Sequence, residues 1–142
     1  MANAAGWVEV NQNSMQHVRF ANIFSLGDVA STPNSKTAAA VRKQAPVVVR
    51  NILRLMQGGA VENGYDGYAS CPLTTANGKA IIAEFVYGGK VTPTLPILDP
   101  GKQRWLGWWI KKSFLPLMYW NYMLRGHEWF PKHNTAFKEP AV

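Results

Sequence analysis

Cys71 is the only cysteine in the 142-residue chain. A disulfide within the chain and the multi-cysteine zinc patterns are therefore excluded, which leaves a reducing compartment or a reactive lone thiol. Acid is scarce too, with 8 Asp and Glu against 15 Lys and Arg. That imbalance points to an anionic partner such as phosphate, nucleic acid or acidic lipid, without choosing among them. The first residues, MANAAGWVEVN, offer no basic stretch followed by an apolar one, so no secretory signal is expected. No G-x-G-x-x-G turn follows a strand, so the element that grips a dinucleotide pyrophosphate is missing. Neither an internal repeat nor a low-complexity tract occurs. The length suits one core, whereas an enzyme with two dinucleotide-binding halves needs considerably more chain.

Against these absences stands the run from Ile23 to Lys36: a short apolar strand, a Gly27-Asp28 turn, then a lysine at the mouth of an alanine-rich helix. Such a strand delivers Asp28 where ligands of α/β folds gather, and the helix aims its unpaired N–H groups at the same spot. Further strands are expected over residues 7–10 and 18–26, separated by the polar stretch Asn11 to Gln16. After Pro33, Asn34 or Ser35 can cap the helix. Its apolar positions Ala38, Val41, Ala45, Val48, Ile52 and Leu55 define one buried face, and Gly58-Gly59 supplies the stop. Pro46 is expected to kink the helix or restart it. Two strand-like runs, 68–75 and 79–87, flank Asn77-Gly78, a dipeptide suited to a tight hairpin turn. Cys71 sits at the edge of the first run, either as a small buried hydrophobe or as a thiol activated by nearby positive charge.

Beyond the connector 88–101, with Pro93, Pro96 and Pro100, the chain changes character, so a division into 1–101 and 102–142 is expected. Between Lys102 and Lys138 lie Trp105, Trp108, Trp109, Trp120 and Trp129, with seven basic residues against Glu128 alone. The longest uncharged stretch there, Ser113 to Leu124, is broken by Pro116 and falls far short of the ~20 apolar residues a spanning helix needs. Helical structure lying in a membrane interface fits, with Trp105, Leu106, Trp109, Ile110 and Phe114 toward lipid. The other reading makes these aromatics the core of a larger protein. Nucleic-acid binding is disfavoured, because the tryptophans cluster with aliphatics in WLGWWI and do not line a polar sheet face.

The segments FSLGDVASTPNSKTAAAVRKQ (24–44), YDGYASCPLTT (65–75), AEF (83–85) and LPLMYWNYMLRG (115–126) together resemble the carboxyl-terminal part of sulfide:quinone oxidoreductase. The resemblance covers about Val8 to Phe137. It implies the closing α/β portion of a two-dinucleotide-binding-domain flavoprotein, with a β-hairpin and an amphipathic helical tail. The implied enzyme is FAD-dependent, oxidises sulfide to sulfane sulfur or polysulfide, and reduces a membrane quinone. It implies that Gly27 and Asp28 meet the FAD ribityl or pyrophosphate region. Lys36 and Thr37, at the helix N-terminus, would favour negative charge on the reduced flavin. Cys71 would be one of a redox pair, and Phe114, Tyr119 and Trp120 would wall the quinone. With no glycine fingerprint and no second cysteine, the chain is expected to be incomplete, inactive alone and unable to retain FAD firmly. Its expected partners are a missing amino-terminal part or another copy of itself, and its expected location is the periphery of a membrane, bacterial plasma membrane ahead of mitochondrial inner membrane. The alternative function is a non-catalytic membrane-surface interaction module.

Overall fold

A computed structural model describes residues 1–94 and 99–127. Pro96, Glu128, Trp129, Lys132, Phe137 and Lys138, which the sequence reading used, lie outside them. The described chain is a small α/β structure with one two-stranded hairpin and several helices. It forms two compact units, Met1–Ala69 with Val86–Lys90, and Ser70–Phe85 with the described part of Val91–His133. Contacts thus divide the chain at different places from the change in composition near residue 101.

In the first unit, helix α1 (Ala38–Met56) dominates. Its cap is Thr37, whose hydroxyl accepts the Ala40 N–H at 3.2 Å, in place of the expected Asn34 or Ser35. The helix runs through Pro46, which is exposed, so no restart occurs there. It ends as expected: Gly58 adopts φ +77°, and the Gly59 N–H returns to the Arg54 carbonyl at 2.8 Å. The buried face differs from the apolar stripe. Ala40, Gln44, Val47, Val48 and Asn51 face inward, while Ala38 and Ile52 are exposed. The reason lies in backbone demand. Asn51 is fully buried because its amide donates to the carbonyls of Ser14 and Glu62 and accepts the Glu62 N–H, each at 2.9 Å. Apolar spacing cannot register such a residue as core. The turn of the helix that results leaves Val49, Ile52, Leu53 and Met56 on an open stripe.

The strands expected over 7–10 and 18–26 are present only as isolated bridges, Val8 with Ala30 in parallel and Val10 with His17 and Gln16 with Phe24 in antiparallel sense. Side chains compete with the ladder here. Asn3 Oδ1 accepts from Ala5 and Trp7, and Asn11 Oδ1 from Asn13 and Ser14, folding the backbone into turns.

The second unit is built on the hairpin of β1 (Ala69–Ala76, whose first residue belongs to the first unit) and β2 (Lys79–Phe85), joined at Asn77-Gly78 as the sequence predicts, with Gly78 at φ +68°. Pro72 is tolerated because a two-stranded sheet has only edge strands. A helical run follows: α2 (Trp105–Trp109), a wide π turn (Ile110–Phe114) and α3 (Leu115–Asn121). Pro116 has no N–H to give, and the wide turn ahead of it, closed by Leu115 N–H to the Ile110 carbonyl, absorbs the defect. No helix among the described residues is long and apolar enough to cross a membrane.

Gly107 explains how closely α2 lies on β2. A Cβ there would stand 2.7 Å from the Ala80 carbonyl oxygen. Gly107→Ala gains helix propensity of about 1 kcal/mol but forces two backbones apart, at a cost of about 1–3 kcal/mol. The expected net result is loss of stability, seen as an earlier urea midpoint by tryptophan fluorescence.

Candidate functional site

In the first unit, the Gly27–Asp28 turn opens a short 3-10 segment (Gly27–Val29). Gly27 takes φ +73°, and a Cβ there would press on a Val41 methyl at 3.3 Å, so the position suits glycine twice over. Its N–H donates to Gln44 Oε1 at 2.8 Å. Pairing with Val8 fixes the exit, since Val8 N–H donates to the Val29 carbonyl at 2.8 Å and Ser31 N–H to the Val8 carbonyl at 2.9 Å. Asp28 is exposed, and among the described residues its carboxylate makes no hydrogen bond.

Lys36 is placed differently from a cation awaiting a ligand. Its ammonium donates to the Ala30 carbonyl, to the Thr32 carbonyl at 3.0 Å and to the Thr32 hydroxyl at 3.5 Å, and it lies 5.2 Å from the Trp7 ring centroid. Desolvation lowers its pKa, and the Asp28 carboxylate pulls the other way. Lys36 therefore straps the loop that carries Asp28 and lends that loop its charge. The Thr37 hydroxyl is occupied as the helix cap.

Behind the turn sits a polar group that apolar periodicity does not reveal. The Tyr65 hydroxyl, buried, donates to the Tyr68 carbonyl at 2.7 Å and accepts from Asn34 Nδ2 at 2.7 Å. Burial pushes its pKa well above the ordinary value, so it stays a donor through the physiological range. Lys43 rests 3.9 Å from the Tyr68 ring centroid and 3.7 Å from Asp66.

In the second unit, Cys71 lies half-buried on β1 as a free thiol. Three residues along the strand, the Thr74 hydroxyl accepts from Lys111 Nζ at 2.9 Å, a tether between strand and helical run that the sequence did not disclose. The helical run is open along Trp105, Trp109, Leu117 and Trp120, while Ile110 and Phe114 are half-buried. Trp109 stacks on Phe114 at 6.5 Å between centroids, and Tyr119 meets Trp120 edge-on at 5.2 Å. Among the described residues there is no cluster of His, Cys, Asp and Glu able to hold a metal.

No protein-family model matches the chain. Comparison with curated proteins decides the relationship. Sulfide:quinone oxidoreductase, mitochondrial, of Dictyostelium discoideum is 46% identical over 142 residues, 98% of this chain and 31% of that protein. The chain is a relative of sulfide:quinone oxidoreductase. The mouse protein of the same name is 40% identical over 89% of this chain and 28% of its own length. That of Schizosaccharomyces pombe is 38% identical over 92% and 29%. The chain thus spans under a third of the length of the curated relatives it matches, consistent with a carboxyl-terminal part. Among solved structures, a chain in the cryo-EM structure of the Tetrahymena thermophila mitochondrial ATP synthase matches with a TM-score of 0.72 and 28% identity, covering 83% of this chain and 29% of that one. The expectation of a bacterial plasma membrane is corrected by these relatives: the three sulfide:quinone oxidoreductases are eukaryotic and named mitochondrial. A basic, tryptophan-rich surface is common to proteins of either membrane, so composition could not have separated them.

Proposed function

We propose that this chain supplies the carboxyl-terminal part of a flavin-dependent sulfide:quinone oxidoreductase working at a mitochondrial membrane. The observation that carries this reading is the 46% identity along 98% of the chain. Bound FAD supplies two-electron acceptor chemistry. The exposed Asp28 carboxylate suits the ribityl hydroxyls, as an acceptor without a donor of its own. Gly27 lets the backbone come close, and Lys36 and Thr37 shape the loop and the helix end behind it. Cys71 contributes one sulfur of a disulfide whose second cysteine lies outside this chain. Sulfide attacks that bond, one cysteine keeps the added sulfur, and the other leaves as a thiolate carrying the electron pair. Residues 102–142 form the membrane-surface tail, with Trp105 and Trp109 in the interface and Phe114, Tyr119 and Trp120 flanking a flat apolar quinone. The open stripe of α1, Val49 to Met56, suits a partner, either the rest of such an enzyme or another copy.

The expected outcome for the purified chain alone is no stoichiometric flavin absorbance and no sulfide-dependent quinone reduction. A chimera in which this chain replaces the matching stretch of the Dictyostelium protein tests the activity itself. It is expected to purify with FAD and to turn over. A flavin-loaded chimera without sulfide-dependent reduction would count against the enzyme reading. That outcome would favour a second one, a non-catalytic membrane-surface module, which draws support from the likeness to a chain of an ATP synthase assembly.

A further inference from the structure

We propose that Lys111 is a positioning residue for Cys71, holding the thiol-bearing strand β1 to the helical run through the Thr74 hydroxyl. Three ties near the hairpin turn join the hairpin to residues 103–107. Ala80 and Arg104 exchange backbone hydrogen bonds at 3.1 and 3.0 Å, the Thr75 hydroxyl donates to Gln103 Oε1 at 2.8 Å, and Gly107 brings α2 onto the Ala80 carbonyl. Two of these fall on β2, and the third sits one residue from the end of β1. Cys71 lies toward the opposite end of that strand, and the residue after it, Pro72, has no N–H to give. A fourth tie reaches within three residues of Cys71: Lys111 Nζ donates to the Thr74 hydroxyl at 2.9 Å.

Lys111 and Lys112 stand side by side in the wide π turn, a local geometry that recurs at functional sites. Lys112 Nζ lies 4.6 Å from the Trp108 ring centroid, on its own helical run, while Lys111 crosses to the strand. One lysine of the pair therefore serves β1 and the other the run itself. Thiol–disulfide exchange is demanding of placement. The sulfurs must meet at about 2.05 Å with a restricted torsion, and displacing a reacting group by about 1 Å can cost about 100-fold in rate. Cys71 is half-buried on an edge strand, so its place depends on β1 staying down. Lys111 acts through Thr74 and touches no reacting atom. Its weight in catalysis rests on the redox reading of Cys71 above, whereas the tether itself does not.

Cys71 is the only thiol in the 142-residue chain, so its rate of alkylation by iodoacetamide reports on β1 with no cofactor present. Lys111→Met removes the donor at similar length and is expected to speed alkylation by about threefold or more. Lys112→Met is the matched control, since it removes the same charge one residue along and should not raise the rate. Charge alone predicts the opposite sign for Lys111→Met, because loss of a nearby cation makes thiolate scarcer and slows alkylation. Thr74→Val keeps every charge and the β-branched shape, and it should speed alkylation as Lys111→Met does. The double variant should show that factor once, not squared, and Lys111→Arg, still a donor, should stay near the wild-type rate. Unchanged or slowed alkylation in either Lys111→Met or Thr74→Val overturns the proposal, as do factors that multiply in the double variant. Thr74→Val decides the matter even where Lys111→Met does not fold. In the chimera, Lys111→Met is expected to lower kcat by about tenfold, with flavin content and the KM for quinone unchanged. Full kcat there would overturn the positioning role, whereas activity retained in Cys71→Ser would remove the redox reading of the thiol and leave the alkylation result standing.

Discussion

Cys71→Ser in the chimera will leave FAD in place and reduce sulfide-dependent quinone reduction by on the order of 10³-fold or more, the scale on which loss of a covalent nucleophile is felt. Serine differs from cysteine by one atom, and Cys71 sits half-buried on an edge strand, so the fold should tolerate it. What serine cannot do is form the S–S bond that sulfide attacks, or leave as a stabilised anion once that bond breaks. Cys71→Ala separates this from packing. It lacks a hydroxyl yet fills most of the volume, and it should match Cys71→Ser in lost turnover. Were the thiol only a small hydrophobe, both variants would retain activity within a few-fold, and stability alone would shift. Flavin absorbance of each purified variant, measured beside the kinetics, guards against mistaking an empty enzyme for an inactive one.

The hairpin was legible because Asn77-Gly78 accepts a backbone that almost no other pair does, and the strands on each side then have one register to choose. Helix α1 was legible as an element, from its alanines and its glycine stop, but not as a face. Its inward surface is decided by what Gln44 and Asn51 bond, and those partners, Gly27, Ser14 and Glu62, come from loops whose paths no periodicity describes. The first thirty residues failed as strands for a related reason: Asn3 and Asn11 offer the backbone nearer acceptors than a neighbouring strand does.

At the candidate site, Gly27 and Asp28 stand out in the sequence because an apolar run, a Gly-Asp turn and a helix resemble a recurring anion-facing pattern; the structure has the turn and the helix, with only isolated bridges ahead of them. Lys36 was identified as a residue of consequence, yet its ammonium turns back to the carbonyls of Ala30 and Thr32. A lysine stem is long enough to reach outward to a ligand or inward to its own loop, and only the fold chooses. Tyr65 escaped notice because a buried phenol reads as one more aromatic until the bonds of its hydroxyl are seen.

Gly67→Ala is the substitution expected to damage the fold most. Gly67 takes φ +85°, and its missing side chain faces the Tyr87 ring, so an added Cβ would stand 2.3 Å from Tyr87 Cγ and Cδ1. That ring cannot easily swing away. Its hydroxyl donates to the Gln12 carbonyl at 2.7 Å, its backbone N–H to the Asp66 carbonyl at 3.0 Å, and its edge meets the Tyr65 ring at 5.7 Å. The left-handed backbone alone costs an L-residue about 1–2 kcal/mol, and forcing a methyl into a filled space costs about 1–3 kcal/mol more. Gly58→Ala is the matched control, with φ +77° in the same unit and nothing within 4 Å of its Cβ, so it should show only the backbone part. Urea unfolding of both variants, followed by circular dichroism, should place Gly67→Ala clearly below Gly58→Ala. Adding Tyr87→Leu should return part of the difference, because a smaller, branched side chain gives the methyl room. Equal losses in the two glycine variants would mean that the Tyr87 ring yields freely, and that the segment leading from Asp66 into the Cys71 strand is held by something other than this contact.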